Sequence, residues 1–216
     1  MSTYKYALFD LDGTLTDPGE GITRSVQYAL AKFGITVEDR SELFCFIGPP
    51  LHESFEVYYG FSRKDAFRCV DAYREYYAVK GIFENKVYEG IADCLAALKA
   101  SGVGISLATS KPEGYAKQIL EHFGLIEYFD AVAGSNMDGS RTKKSEVVER
   151  ALALLGNPDV RDCVMIGDRE HDVLGGKAHG MDTIGVTFGY GSEDELIRAG
   201  ATHVAHTPAE IVQFIQ

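Results

Sequence analysis

The 216-residue sequence predicts an α/β protein, a doubly wound parallel Rossmann-like sheet with an inserted all-α segment. Three observations predict this class. From about residue 87 onward, short apolar runs alternate with amphipathic helical stretches, which is typical of right-handed βαβ units. The strand runs are apolar throughout, as a sheet covered on both faces requires. Between about Pro18 and Asn85, helical periodicity continues without a convincing strand.

The first half of the chain begins with one predicted strand, Tyr6–Phe9, an apolar run that ends in carboxylates, glycine and threonine. Apolar residues then recur at helical spacing over residues 22–33 and 51–58, and a glycine follows each pattern. Ser62-x-x-Asp65 is typical of a capping box and predicts a third helix that continues through Tyr77.

The second half alternates between the two kinds of element. The predicted helices cover about residues 91–98, 115–123, 147–155, 173–179, 193–199 and 209–215, with Pro112 in the first turn of the second one. The predicted strands cover residues 103–108, 131–133, 163–166, 183–186 and 202–205. We therefore expect a core domain of residues 1–16 and 86–216 and a helical domain of residues 17–85.

The composition argues against several classes of partner and location. Lys and Arg total 21 and Asp and Glu total 32, and the formal charge of −11 argues against nucleic acid or an acidic membrane as a partner. No apolar run approaches the roughly 18 residues of a membrane span, and the N-terminus does not resemble a signal peptide. Four dispersed cysteines (45, 69, 94 and 163) predict free, buried thiols. We expect a cytoplasmic protein.

Acidic residues lie at the carboxyl ends of predicted strands, where open α/β sheets bind their ligands. Asp10 and Asp12 follow the first strand, and positions i and i+2 of an extended backbone point the same way. Asp168 and Asp172 follow a later strand, about one helical turn apart. If the two strands are neighbours, the carboxylates need a cation, because like charges at 4 Å repel by about 4 kcal/mol at an effective dielectric of 20. Oxygen ligands favour Mg²⁺ over zinc or copper.

These motifs resemble those of the haloacid dehalogenase-like phosphatases. Asp10-Leu11-Asp12-Gly13-Thr14 is similar to the first motif of that family, Thr109 to the second, and Gly167-Asp168-Arg169-Glu170-His171-Asp172 to the fourth. The third-motif lysine is either Lys144 or Lys143, and the sequence after Lys144 is the better match.

The resemblance extends over almost the whole chain. The helical insertion resembles the cap domain that one large subgroup of the family carries after its first strand. Gly48-Pro49-Pro50-Leu51 and Phe188-Gly189-Tyr190-Gly191 are most similar to members of the phosphoglycolate phosphatase type.

The resemblance implies roles for the four acidic residues. Asp10 would be the nucleophile that becomes an aspartyl phosphate, and Asp12 would be the general acid and then the general base. Asp10, the backbone carbonyl of Asp12, and Asp168 would hold Mg²⁺. Asp172 would bind it through water or orient its ligands.

The resemblance also implies a set of residues that bind the phosphoryl group. Thr109, Ser110 and the backbone at Gly13 would bind its oxygens, and Lys144 would neutralise the anionic site. The family commonly has asparagine where this chain has Ser110, but a backbone N–H survives that change. Arg24 would grip a second anionic group of the substrate, and a surface salt bridge is the alternative for this side chain.

The function that follows is a Mg²⁺-dependent phosphatase acting on a small organic phosphomonoester, with phosphoglycolate as the family default. A 5'-nucleotidase and a sugar-phosphate mutase remain alternatives with the same chemistry. A phosphoacceptor switch domain and a catalytically silent binding protein are alternatives from other classes. A dehalogenase is disfavoured, because halide displacement does not need Asp12. We expect a small phosphorylated metabolite as the partner and a monomer or homodimer.

Overall fold

A computed structural model describes residues 3–216 and separates them into two compact units. The α/β unit contains the chain up to Thr16 and again Val87–Gln216, and the helical unit is Asp17–Lys86. The strands are β1 (Tyr6–Phe9), β2 (Thr16–Asp17), β3 (Lys86–Val87), β4 (Gly104–Pro112), β5 (Ala131–Ser135), β6 (Cys163–Gly167), β7 (Asp182–Val186) and β8 (His203–Ala205). The helices are α1 (Gly19–Lys32), α2 (Leu51–Tyr59), α3 (Arg63–Tyr76), α4 (Ile91–Ala100), α5 (Glu113–His122), α6 (Lys144–Leu154), α7 (Glu170–Lys177), α8 (Glu193–Ala199) and α9 (Pro208–Ile215).

The α/β unit is built on a six-stranded parallel sheet in the order β5-β4-β1-β6-β7-β8. β1 lies in the middle and pairs with β4 on one side and β6 on the other, so Phe9 lies opposite both Leu107 and Ile166. The strand order changes direction at β1, which is the position where open α/β sheets form their ligand site. The predicted doubly wound α/β class is confirmed.

Strand β4 is longer than the sequence predicted. The predicted strand ended at Ala108, whereas β4 continues to Pro112 with a register shift against β5 between these two residues. Proline restricts the residue before it to extended backbone, which keeps Lys111 in the strand. The predicted place of Pro112 in the first turn of a helix is wrong by one position, because α5 begins at Glu113.

Two other helices of this unit begin three residues before their predicted starts, α6 at Lys144 and α7 at Glu170. Their first turns are polar, so apolar periodicity could not mark them. In α7 the Asp172 carboxylate accepts a hydrogen bond from the Arg169 backbone N–H at 3.1 Å and caps the helix.

The helical unit contains the three predicted helices α1, α2 and α3. Ser62 caps α3, as predicted, by accepting the Asp65 backbone N–H at 3.2 Å. A 3₁₀ segment, Arg40–Phe46, and a π-helical turn, Tyr77–Gly81, were not predicted. They contain seven and five residues, which is too short for apolar periodicity to identify them.

The cysteines agree with the sequence prediction except at one position. All four are thiols, and Cys69, Cys94 and Cys163 are buried. Cys45 is only half-buried, because it lies in the 3₁₀ segment near the surface, where its Sγ donates to the Glu42 carbonyl at 3.4 Å. Among residues 3–216, no helix has both the length and the apolar character needed to cross a membrane.

Candidate active site

Three buried carboxylates converge where β1 and β6 end. The Asp10 backbone N–H donates to the Ile166 carbonyl at 2.9 Å, which fixes Asp10 beside the end of β6. One carboxylate oxygen from each of Asp10, Asp168 and Asp172 lies within 4.8 Å of the other two. The structure thus brings together the acids of the first and fourth motifs, which are about 160 residues apart in the chain.

Lys144, the first residue of α6, contacts this cluster of carboxylates. Its Nζ lies 2.9 Å from Asp10 Oδ1 and 2.7 Å from Asp172 Oδ1, and it donates to the Ala108 carbonyl at 3.1 Å. Burial opposes its charge, but the two carboxylates dominate and raise the pKa of Lys144 above its ordinary value. The neighbouring Lys143 is exposed. Of the two lysines that the sequence left open, only Lys144 contacts the acids.

Asp12 forms a separate buried ion pair with Lys111. Asp12 Oδ2 lies 2.7 Å from Lys111 Nζ, and both side chains are almost completely shielded from solvent. Burial raises the pKa of Asp12, although the charge of Lys111 acts in the opposite direction. The sequence analysis assigned no role to Lys111. β4 continues past Ala108 with a register shift against β5, and this irregularity has no sequence signal beyond Pro112.

The remaining predicted phosphate-binding residues lie at the same edge of the sheet. Thr109 is buried, and its Oγ1 accepts the Lys111 backbone N–H at 3.2 Å. Ser110 is half-buried in the irregular part of β4. Gly13 has a φ of +83°, and a Cβ there would lie 2.5 Å from Asp168 Cγ. Glycine is therefore required at Gly13 both by its backbone conformation and by the close approach of Asp168.

The donor set fits a hard divalent cation. Asp10 Oδ1, Asp12 Oδ1 and Asp172 Oδ1 are buried and accept no well-formed hydrogen bond, although Lys144 Nζ is at ion-pair distance from two of them. Burial, and then repulsion from Asp172 and Asp10, raises the pKa of Asp168 to about 8. Mg²⁺ prefers carboxylate oxygens as ligands, and buried oxygens that accept no hydrogen bond are available to bind it. A cation would also reduce the repulsion between the carboxylates.

Arg24, the ninth predicted site residue, lies in α1 of the helical unit. Its guanidinium is 2.7 Å from Glu20 Oε1 and 2.8 Å from Glu84 Oε1, and the side chain is 43% exposed. These contacts are the surface ion pair that the sequence analysis gave as the alternative. The contact of Arg24 with a substrate anion stays a prediction.

Comparisons with known proteins agree with the geometry. Residues 7–186 match the family described as haloacid dehalogenase-like hydrolase. A 5'-nucleotidase from Pseudomonas aeruginosa is 46% identical over 213 residues, which cover 99% of this chain and 96% of that protein. The tyrosine-protein kinase PtkA from Mycobacterium tuberculosis is 42% identical over 200 residues, which cover 92% of this chain and 67% of the kinase. The crystal structure of a predicted phosphatase from Clostridium acetobutylicum superposes with a TM-score of 0.94 at 50% identity and covers 97% of each chain.

Proposed function

The chain belongs to the haloacid dehalogenase-like hydrolases and is a phosphatase, and we propose that it hydrolyses a small organic phosphomonoester through a phosphoaspartate on Asp10, with Mg²⁺ as cofactor. One observation carries the proposal. Asp10 is buried within 4.8 Å of two further carboxylates and is paired with Lys144 at 2.9 Å. A buried carboxylate needs a partner of opposite charge, and the Lys144 ammonium lies beside this one.

In the first proposed step, an oxygen of Asp10 forms a bond to phosphorus while the bond from phosphorus to the leaving alcohol breaks. Asp12 donates a proton to the alcohol oxygen. In the second step, Asp12 takes a proton from water as the water oxygen attacks phosphorus, and Asp10 is released with inorganic phosphate. Such proton transfers typically contribute about 10²–10⁴-fold to the rate.

Two features of the chain and a bound cation would stabilise the negative charge of the phosphoryl group. Lys144 supplies one fixed charge, and the N–H groups of the backbone around Thr109 and Gly13 supply dipoles. We propose Asp10, Asp168 and the backbone carbonyl of Asp12 as Mg²⁺ ligands, with Asp172 as a ligand through water or as their orienting partner. When bound, Mg²⁺ would offset the negative charge that gathers during phosphoryl transfer.

For the substrate we put a nucleoside 5'-monophosphate first, because the 46% identical relative is named 5'-nucleotidase. Phosphoglycolate, the default of the family resemblance, is the second candidate. In this proposal the α/β unit is the catalytic domain, the helical unit is the cap domain, and the protein is cytoplasmic, either a monomer or a homodimer.

The substrate test measures phosphate release from nucleoside 5'-monophosphates, phosphoglycolate, sugar phosphates and pyrophosphate, all at the same concentration. The nucleotide assignment requires the highest kcat/KM for a nucleoside monophosphate. Formation of a sugar-phosphate isomer without free phosphate would indicate a mutase instead. Transfer to a protein tyrosine, which the name of the mycobacterial relative describes for that protein, would appear as phosphotyrosine without free phosphate.

The nucleophile test uses Asp10→Asn, which is nearly the same size but cannot form the ester. We expect no measurable turnover, no phosphoryl adduct in the intact-mass spectrum, and an unchanged circular dichroism spectrum. Glu193→Gln, a change at an exposed carboxylate in α8, serves as the matched control and should leave turnover unchanged. Phosphate release by Asp10→Asn at a rate near that of the unmodified chain would contradict the assignment.

A further inference from the structure

The loop after β7, Gly189-Tyr190-Gly191, lies outside the four motifs but touches the metal-binding acid directly. A Cβ added at Gly189 would lie 2.5 Å from Asp168 Cβ and would collide with the Gly13 carbonyl oxygen. A Cβ added at Gly191 would collide with the Asp168 carbonyl oxygen. The backbone of this loop therefore packs against Asp168 so closely that neither position has space for a side chain.

The same loop also determines which oxygen of Asp168 remains for a ligand. The Tyr190 backbone N–H donates to Asp168 Oδ2 at 2.8 Å. Asp168 Oδ1 has a longer contact, 3.4 Å, with the Thr14 hydroxyl. A carboxylate whose Oδ2 is held by an amide presents Oδ1 as a ligand in a fixed orientation.

A second contact joins helix α8 to the loop between β6 and α7. Glu195 Oε1 accepts the Glu170 backbone N–H at 2.8 Å and the Arg169 Nε–H at 2.9 Å. Burial opposes its charge, but these two donors lower the pKa of Glu195, so it is ionised at neutral pH. Arg169 and Glu170 lie between Asp168 and Asp172, and the Arg169 backbone N–H in turn holds Asp172 Oδ2 at 3.1 Å.

We propose that the Gly189–Gly191 loop and Glu195 are positioning elements for Mg²⁺, since they hold Asp168 and Asp172 with one oxygen of each directed at the site. The inference rests on the Mg²⁺ site of the proposed function, but not on the identity of the substrate. Residues that orient metal ligands typically change metal affinity by about 10–100-fold when they are altered. The effect should therefore appear in Mg²⁺ binding, before any substrate is present.

The experiment is a calorimetric titration of the metal-free full chain with MgCl₂ alone. We expect Glu195→Gln and Gly189→Ala to bind Mg²⁺ about 10-fold or more weakly than the unmodified chain. Each has a matched control. Glu193→Gln removes the same charge from the same turn of α8, and Gly114→Ala adds a Cβ that meets no atom within 4 Å. Both controls should bind Mg²⁺ normally.

A second measurement separates positioning from general damage. In steady-state assays, Glu195→Gln should need more Mg²⁺ for half-maximal activity but reach nearly the unmodified kcat at saturating Mg²⁺. Normal Mg²⁺ affinity in Glu195→Gln overturns the inference, even if Gly189→Ala does not fold. Absence of Mg²⁺ binding by the unmodified chain overturns it as well. Weakened Mg²⁺ binding by Glu195→Gln, together with no phosphate release by the unmodified chain, would support the inference and refute the proposed function.

Discussion

At the scale of single residues, the candidate site contains four carboxylates and two lysines, and the two lysines contact different acids. Lys144 faces Asp10 and Asp172, and Lys111 faces Asp12. When all four carboxylates are ionised, two lysines leave a surplus of negative charge in a buried volume, which a divalent cation would remove. In the proposed mechanism the two lysines therefore differ in function, because one neighbours the proposed nucleophile and the other neighbours the proposed proton donor.

The first residue-scale prediction concerns Lys144. Lys144→Met keeps the apolar stem that packs against Gly175 but removes the charge. We expect kcat to fall by about 10²–10³-fold, the usual loss when a group that stabilises transition-state charge is removed. Lys143→Met, on an exposed side chain, should leave kcat unchanged. Phosphate-release kinetics of the two variants decide the assignment, and a larger loss in Lys143→Met would reverse it.

The second residue-scale prediction concerns Lys111. Lys111→Met leaves Asp12 buried without its cation, so its carboxylate should lose the orientation needed for proton transfer. We expect kcat to fall by at most the 10²–10⁴-fold typical of general acid catalysis, with a greater loss for alkyl phosphates than for p-nitrophenyl phosphate. The latter has a leaving group that needs little protonation. Lys117→Met, on an exposed side chain of α5, is the control. Equal losses for both kinds of ester would argue against this role.

The sequence was sufficient to predict Asp10, Asp12, Asp168 and Asp172 as candidate site residues, because their spacing within each motif is local. It could not identify Lys111 as a partner of Asp12, because that contact joins two distant parts of the chain at the irregular end of β4. It could not decide between Lys143 and Lys144 on physical grounds either. The decision depends on where α6 begins, and the first turn of this helix is polar.

At the scale of elements, the two units rely on glycines where backbones cross closely. In the helical unit, a Cβ added at Gly21 in α1 would collide with the carbonyl oxygen of Gly81 in the π-helical turn. A Cβ added at Gly81 would lie 2.6 Å from Ser25 Oγ. The π-helical turn therefore packs directly on α1, an arrangement that apolar periodicity cannot indicate.

The element-scale prediction is that Gly21→Ala destabilises the protein although alanine favours helices. The collision with Gly81 requires α1 or the turn to shift, at a cost of about 1–3 kcal/mol. Gly114→Ala in α5 is the opposite case, since its Cβ meets open space and it should be neutral or stabilise by up to about 1 kcal/mol. Urea unfolding curves measure both. A stabilising Gly21→Ala would refute the close packing.

The predicted helices and strands were confirmed as elements, and their boundaries were less accurate. Glycines after α1 and α2 and the Ser62 cap before α3 are local signals, and they predicted those boundaries well. The starts of α6 and α7 and the end of β4 depend on polar contacts made after folding. The strand order β5-β4-β1-β6-β7-β8 could not be worked out from the sequence, although parallel pairing could.

At the scale of the whole molecule, the repulsion between buried carboxylates of the site affects the free energy of unfolding. The acids Asp10, Asp168 and Asp172 lie in the α/β unit at the ends of its central strands, so their repulsion acts on the sheet itself. A cation that binds only the folded chain adds stability in proportion to the logarithm of its concentration. The Mg²⁺ that we propose as cofactor should therefore also stabilise the folded protein.

This link predicts that the metal-free protein loses stability as the pH rises from about 4 to about 8. Burial, then Asp172 and Asp10, raises the pKa of Asp168 from 3.8 to about 8, while the unfolded chain releases this proton near its ordinary value. The folded state thus binds more protons than the unfolded state across this range, and each step upward in pH favours unfolding. Lys144 partly offsets the repulsion, and Mg²⁺ should abolish the pH dependence by pairing with the ionised acids.

Thermal unfolding midpoints at several pH values, with a chelator and with MgCl₂, test this pH dependence. The gap between the two curves should widen toward pH 8, and Asp168→Asn should flatten the chelator curve. Midpoints in chelator that do not fall over this range would show that the three acids do not strain the fold.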